Sequence, residues 1–219
     1  MDQNYLMNLE NVIKQMLTPL KNIPLNLVIE ATSGFSIVPF DFSNQNDLKI
    51  LSNLKKVAKE TGSLINKKGI KSIRPNEVGN YIEDYVKKTL NKIGYESEMP
   101  KTISGKHRSA GYPDLLFKDD LGKINYLECK TFSIENVSTT LRSFYLSPSN
   151  DSKITEAAHH FVISFEVYVY KKESDKNIYK IKSWKILTVE KLLVDVKYEF
   201  NSDNLRLYSK EHLLAEGII

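Results

Sequence analysis

The sequence predicts an α/β protein with a helical N-terminal extension, and three stretches carry that prediction. Residues 75–93 repeat apolar side chains at helical spacing, residues 115–130 read as two short strands joined by a turn, and residues 161–187 read as a longer pair of strands. Helical and strand patterns that follow one another in this way belong to folds that pack helices against a sheet.

From the N-terminus, Leu6, Leu9, Val12, Ile13, Met16 and Leu17 recur at helical spacing. Thr18-Pro19 and Pro24 then stop the pattern, because proline lacks the amide proton that a helix interior needs. Leu25 to Val38 is rich in apolar and β-branched residues around Ser33-Gly34 and reads as a hairpin. Leu48, Leu51, Leu54 and Val57 mark a second helix, capped through Asn46-Asp47. Neither helix carries recognisable chemistry, and core packing or a dimer surface accounts for both. Gly62 to Arg74, with Lys67, Lys68, Lys71 and Arg74, reads as a basic solvated connector. The expected division is a helical extension over residues 1–70 packed on a core over residues 71–219, in one continuous domain.

The next helix has Pro75 in its first turn and Gly94 after its end, with Val78, Ile82, Tyr85, Val86, Thr89, Leu90 and Ile93 on the buried face. Glu83 lies at the edge of that face, in line with Gly79, Val86 and Leu90. Glu77 aligns with Tyr81, Asp84 and Lys88 on a more polar side, so Glu83 is the stronger candidate for a site and Glu77 the second.

Two strands follow. Leu115, Leu116 and Phe117 are entered through Pro113-Asp114, Asp119 to Gly122 supplies turn chemistry, and Ile124 to Lys130 alternates as a half-buried strand. The two-residue period of a strand places Tyr126, Glu128 and Lys130 on one face and Asn125, Leu127 and Cys129 on the other. Pairing of the strands would bring Asp114 close to Glu128, giving two carboxylates and an ammonium at one end of a sheet. Oxygen ligands of this kind suit a hard divalent cation.

Pro113-Asp114 followed by Glu128-Cys129-Lys130 resembles the PD-(D/E)xK signature of the restriction-endonuclease-like nuclease superfamily, and the run Arg74 to Glu83 resembles that superfamily's opening helix. The resemblance covers mainly residues 74–130. It implies a central mixed β-sheet flanked by helices, Asp114, Glu128 and Glu83 as ligands of Mg2+, and Lys130 as the group that orients or deprotonates the attacking water. The size of the chain makes it similar to a type II restriction endonuclease, which cuts double-stranded DNA, commonly as a homodimer whose two-fold axis matches a palindromic site. Alternatives are a repair or junction-resolving nuclease of the same superfamily, a non-catalytic DNA-binding module on its fold, and a structural protein whose acids and lysine form surface ion pairs.

Two polar loops are candidates for DNA contact. Lys101 to Ser109 holds Lys106, His107 and Arg108 just before Asp114, where their donors could grip phosphate oxygens. Thr131 to Asp151 holds Arg142, able to reach guanine edges, and Tyr145. Beyond it, Ile154 to His159 reads as a short helix. Phe161, Ile163, Phe165, Val167 and Val169 then share one strand face, Glu173 to Asn177 turns the chain, and Tyr179 to Leu187 returns with Trp184. These aromatics are expected in the core. From Val189 a short helical pattern precedes a strand over Val194 to Phe200.

Composition sets outer limits. At 219 residues, 41% hydrophobic and 26% charged, the chain can bury a substantial core, and a net charge of +4 permits a nucleic-acid partner without demanding one. One cysteine excludes an intramolecular disulfide and a Cys-rich zinc site, and Cys129 is expected as a small buried hydrophobe. His107, His159, His160 and His212 lack metal-ligand spacing, and no Walker-type glycine loop occurs. The N-terminus lacks signal-peptide character, and the apolar run Phe161 to Tyr170 is too short to span a bilayer, so a soluble cytoplasmic protein is expected.

Overall fold

Residues 159–173 are dominated by Val, Ile, Phe and Tyr, side chains that pack well on a pleated surface, and they form the strand around which the sheet is laid out. The computed structural model describes residues 2–199, 201–207, 209 and 211–215. Its elements are α1 (Gln3–Gln15), β1 (Ile23–Pro24), α2 (Leu25–Ser33), α3 (Gln45–Lys68), β2 (Ile70–Ser72), α4 (Pro75–Lys92) and β3 (Ser97–Glu98), then β4 (Leu115–Lys118), β5 (Ile124–Phe132), β6 (His159–Glu173), β7 (Lys176–Thr188), β8 (Leu193–Val194) and α5 (Asn204–Leu207). They group into two compact units, Pro24–Leu192 and a second made of Met1–Ile23 with Leu193–Ile219.

The larger unit holds a six-stranded sheet in the order β2-β7-β6-β5-β4-β3. β5 and β6 run parallel, and every other neighbouring pair is antiparallel. The sheet is therefore mixed, with helices against it, as in the restriction-endonuclease-like fold. Leu115, Phe117, Leu127, Cys129, Phe161, Ile163, Phe165, Val167, Tyr179 and Ile181 join one core with Ile50, Leu54, Val57, Ala58 and Ile65 of α3 and Val78, Ile82, Val86 and Leu90 of α4. Each large apolar side chain taken fully out of water contributes about 1.5–3 kcal/mol, so this layer fixes how α4 lies across β5. Trp184 packs at the margin of the same core, and Val169 is left half-exposed.

Several segments differ from the sequence reading. Leu25 to Val38 is not a hairpin: Leu25–Ser33 is helical, Leu25 and Ile29 are buried one turn apart, and Gly34 in the left-handed region (φ 81°) ends the helix. Only Ile37 makes a strand-like bridge, to Ala158. The start of α3 is capped by Asn44, whose side chain accepts from the amides of Asn46 and Asp47. The basic connector is the last part of α3 followed by β2; Lys67 and Lys68 sit in the final turn, where their charge complements the helix dipole. Gly62 stays helical where α3 lies against Ile181 of β7. Ile154 to Ala157 is irregular rather than helical, and β6 begins at His159. Beyond Val189 there is a turn in place of the expected helix, the two-residue β8 covers only Val194 of the expected strand, and Phe200 lies outside the described residues.

The second unit contains α1, capped by Asp2, and none of its residues is buried. Within this unit the Asn22 amide donates to Asp195 at 2.9 Å and the Val196 amide to the Leu20 carbonyl at 2.9 Å. No helix among the described residues is long and apolar enough to cross a membrane.

Gly69 makes the corner between α3 and β2 with φ 72° and ψ 159°, a region that L side chains avoid, and a Cβ there would run into Ile178. Gly69→Ala is expected to lower unfolding free energy by about 2 kcal/mol or more, measured by denaturant titration.

Candidate active site

The geometry of the site starts in the β4–β5 hairpin. Asp119 accepts from the amides of Leu121 and Lys123 at 2.8 and 2.9 Å and from the Asn46 side chain at 2.9 Å, which fixes the turn. With the turn fixed, Leu115 pairs with Leu127. Asp114 then stands one step beyond that pair, beside Glu128. Its Oδ2 accepts from the Cys129 amide at 2.8 Å. Leu127 and Cys129 point into the core, so Glu128 and Lys130 project from the opposite face, as the strand period requires. Lys130 Nζ donates to Glu128 Oε1 at 2.6 Å.

Glu128 is 3% exposed, and its Oε2 is buried with no hydrogen-bond partner among the described residues. Burial, reinforced by the negative charge of Asp114, pushes its carboxyl up to about 7. Glu83, on the face of α4 that meets β5, is also pushed up to about 7, first by burial and then by Asp114, against the pull of Lys130 and Lys153. Asp114 is raised by burial, with the Cys129 amide, Lys130 and Lys153 opposing. Glu83, Asp114, Glu128 and Lys130 thus share one electrostatic environment. Glu77 lies elsewhere: it accepts from Ser72 Oγ at 2.5 Å, tying the first turn of α4 to β2.

Among the described residues, no three His, Cys, Asp or Glu side chains converge closely enough to hold a metal ion as they stand. The donor set nonetheless fits a hard divalent cation, since three carboxyls are disfavoured as anions and one buried oxygen has no donor. Burial pushes the Cys129 thiol well above its ordinary range, leaving it a core side chain.

The two loops singled out in the sequence face each other. A cleft of about 600 Å³ is lined by His107, Arg108, Tyr112, Tyr145, Ser149 and Lys153, among others. Arg108 donates to Ser149 Oγ at 3.3 Å and meets Asp151 at 3.5 Å. Arg142 lies over the Tyr145 ring at 5.1 Å. The backbone of His107 bridges Lys101, and the Lys106 amide donates to Thr102.

The sequence reading missed Lys153, 5% exposed, whose Nζ donates to the carbonyls of Gly111 at 2.7 Å and Pro113 at 3.2 Å. It lies in an irregular segment without periodicity, so no sequence signal marks it. It also missed the buried contact of Tyr112 with His160 Nδ1 at 2.7 Å. Burial drives that ring down to about 3, which leaves it neutral.

The raised carboxyls have a measurable consequence. A carboxyl whose folded pKa exceeds its unfolded value makes the protein less stable as pH rises from the unfolded value, near 4.5, to the folded one, about 7. In chelator-treated protein, Tm is expected to fall across that window. Glu128→Gln should flatten the fall, as followed by calorimetry at several pH values; an unchanged slope would contradict the burial argument.

Comparison with known proteins now bears on this arrangement. No solved structure matches the chain. A curated relative from Methanocaldococcus jannaschii, the type II restriction enzyme MjaV, is 37% identical over 230 residues, spanning 98% of this chain and 97% of its own. The model of the type II restriction enzyme MjaV family matches residues 19–211. A match over so much of the chain, with a mixed sheet carrying Asp114, Glu128 and Lys130 together, places this protein in the type II restriction enzyme MjaV family of sequence-specific DNA endonucleases.

Proposed function

We propose that the protein hydrolyses phosphodiester bonds of double-stranded DNA with Mg2+, using Asp114, Glu128 and Glu83 as metal ligands and Lys130 as the group that handles the attacking water. The observation that carries this reading is the placing of Asp114 one step beyond the Leu115–Leu127 pair, where it accepts from the Cys129 amide beside Glu128, with Lys130 Nζ 2.6 Å from Glu128 Oε1. A bound divalent cation supplies positive charge at the scissile phosphate and acidifies a water molecule. Glu128 Oε2, which has no donor, and the neighbouring Asp114 and Glu83 carboxylates are the oxygens available to it.

Lys130 has a side chain 31% exposed, so its ammonium can reach both Glu128 and solvent. From there it orients the water for attack on phosphorus and donates to the phosphate oxygens as negative charge builds on them. As the water oxygen bonds to phosphorus, the P–O bond to the leaving oxygen breaks, the attacking water gives up a proton to solvent and the leaving oxygen takes one up. Arg108, His107, Lys106 and Arg142 are assigned to the DNA: the first three to backbone phosphates, and Arg142 to a base edge. Two copies acting as a homodimer would match a palindromic site.

The test is digestion of a long duplex DNA with magnesium or with a chelator, resolved on a gel. Discrete fragments in magnesium alone are expected; cleavage in the chelator would remove the metal from the reading. Asp114→Ala and Lys130→Ala should abolish cleavage while circular dichroism and Tm show a folded protein, and wild-type rates in either would overturn the assignment. Arg108→Ala should weaken binding to all sequences alike and reduce the salt dependence of log K by about 1.

A further inference from the structure

We propose that Lys153 is a positioning residue of the catalytic centre, whose ammonium pins the backbone leading into Asp114. This rests on the reading of Asp114 and Glu128 given above. Lys153 lies outside the motif, on the segment between β5 and β6, and 95% of its surface is withdrawn from solvent. A lysine so buried is costly unless its charge is compensated. Here the ammonium binds main-chain carbonyls, Gly111 at 2.7 Å and Pro113 at 3.2 Å, on either side of Tyr112 and immediately before Asp114. Two of its three N–H groups are thereby committed to setting the path of the chain.

Neighbouring contacts extend the link. The Ile103 amide donates to the Ser152 carbonyl at 2.9 Å, the Ser104 amide and hydroxyl donate to Asp151 at 2.9 Å each, and Arg108 reaches Ser149 and Asp151. Residues 149–153 are therefore fastened to residues 103–113, and Lys153 is the innermost fastening. Burial pulls the Lys153 ammonium below its ordinary range, and the carboxyls of Asp114, Glu128 and Glu83 oppose that shift. A main-chain shift at Pro113 would move Asp114 away from the Cys129 amide and from Glu128. A misplacement of about 1 Å can cost about a hundredfold in rate.

The experiment compares the full-length wild type with Lys153→Met, Lys153→Arg and Asp114→Ala on a duplex that the wild type cuts. Lys153→Met should lower kcat about a hundredfold while KM stays within about threefold, and Lys153→Arg should recover at least about tenfold of the loss. Without metal, amide exchange at Cys129 should accelerate at least about tenfold in Lys153→Met, while the Ile163 amide keeps its wild-type rate. If Lys153→Met does not fold, Lys153→Gln serves for the same readings. Wild-type kcat in the uncharged variant overturns the proposal, as does unchanged exchange at Cys129 or equal acceleration at Cys129 and Ile163, which would mark a merely structural lysine. If Asp114→Ala itself cleaves at the wild-type rate, the reading of the metal site falls first; if Asp114→Ala is inactive and Lys153→Met is not impaired, Lys153 alone is misassigned.

Discussion

Burial of Glu128 beside Asp114 is the interaction on which the rest of the structure turns, because a carboxylate almost without solvent loses the water that would keep it charged. Neither acid can move away. Asp114 is held by the Cys129 amide, and Glu128 is carried on a strand whose other face is locked into the core by Leu127 and Cys129. The sheet therefore forces two like charges together, and α4 adds Glu83 to them. Two lysines temper the field, Lys130 by direct contact and Lys153 through space. What remains is a carboxyl cluster in which burial and mutual repulsion disfavour full ionisation.

The same constraint explains the layout further out. α4 must lie across β5 for Glu83 to face Asp114, and the apolar row Val78, Ile82, Val86 and Leu90 packs it there. α3 packs beside it on the same sheet, with Gly62 against Ile181 and a buried hydrogen bond from Thr61 to Thr89 joining the two helices. The helical layer fixes the distance between helix and strand on which the carboxyl cluster depends.

The placement of the candidate site's residues was legible where they sit in regular elements. Alternation along residues 124–130 put Glu128 and Lys130 on one face, and helical spacing favoured Glu83 over Glu77 as a neighbour of the sheet end. The fold was legible for the same reason in the pair of long strands and in α4. Legibility failed where tertiary context overrides local pattern. Leu25 to Ser33 has strand-like composition, yet burial of Leu25 and Ile29 at one-turn spacing makes it a helix. The lysine-rich end of α3 looks like a linker because a helix C-terminus attracts basic residues. Lys153 could not be found at all, since its partners are carbonyl groups forty residues away and a main-chain partner leaves no trace in side-chain spacing.

The connection between β5 and β6 is a parallel crossover, a path that most α/β proteins fill with a helix. Here residues 133–157 are irregular, and part of them forms one wall of the cleft opposite residues 107–112. Irregular chain tolerates insertion and substitution far better than a packed helix does. Descendants of this architecture can therefore reshape that wall while the strands beside it stay unaltered. The wall of the cleft and the hairpin that carries Asp114, Glu128 and Lys130 are thus separable stretches of one chain, so a lineage can vary the first without rebuilding the second.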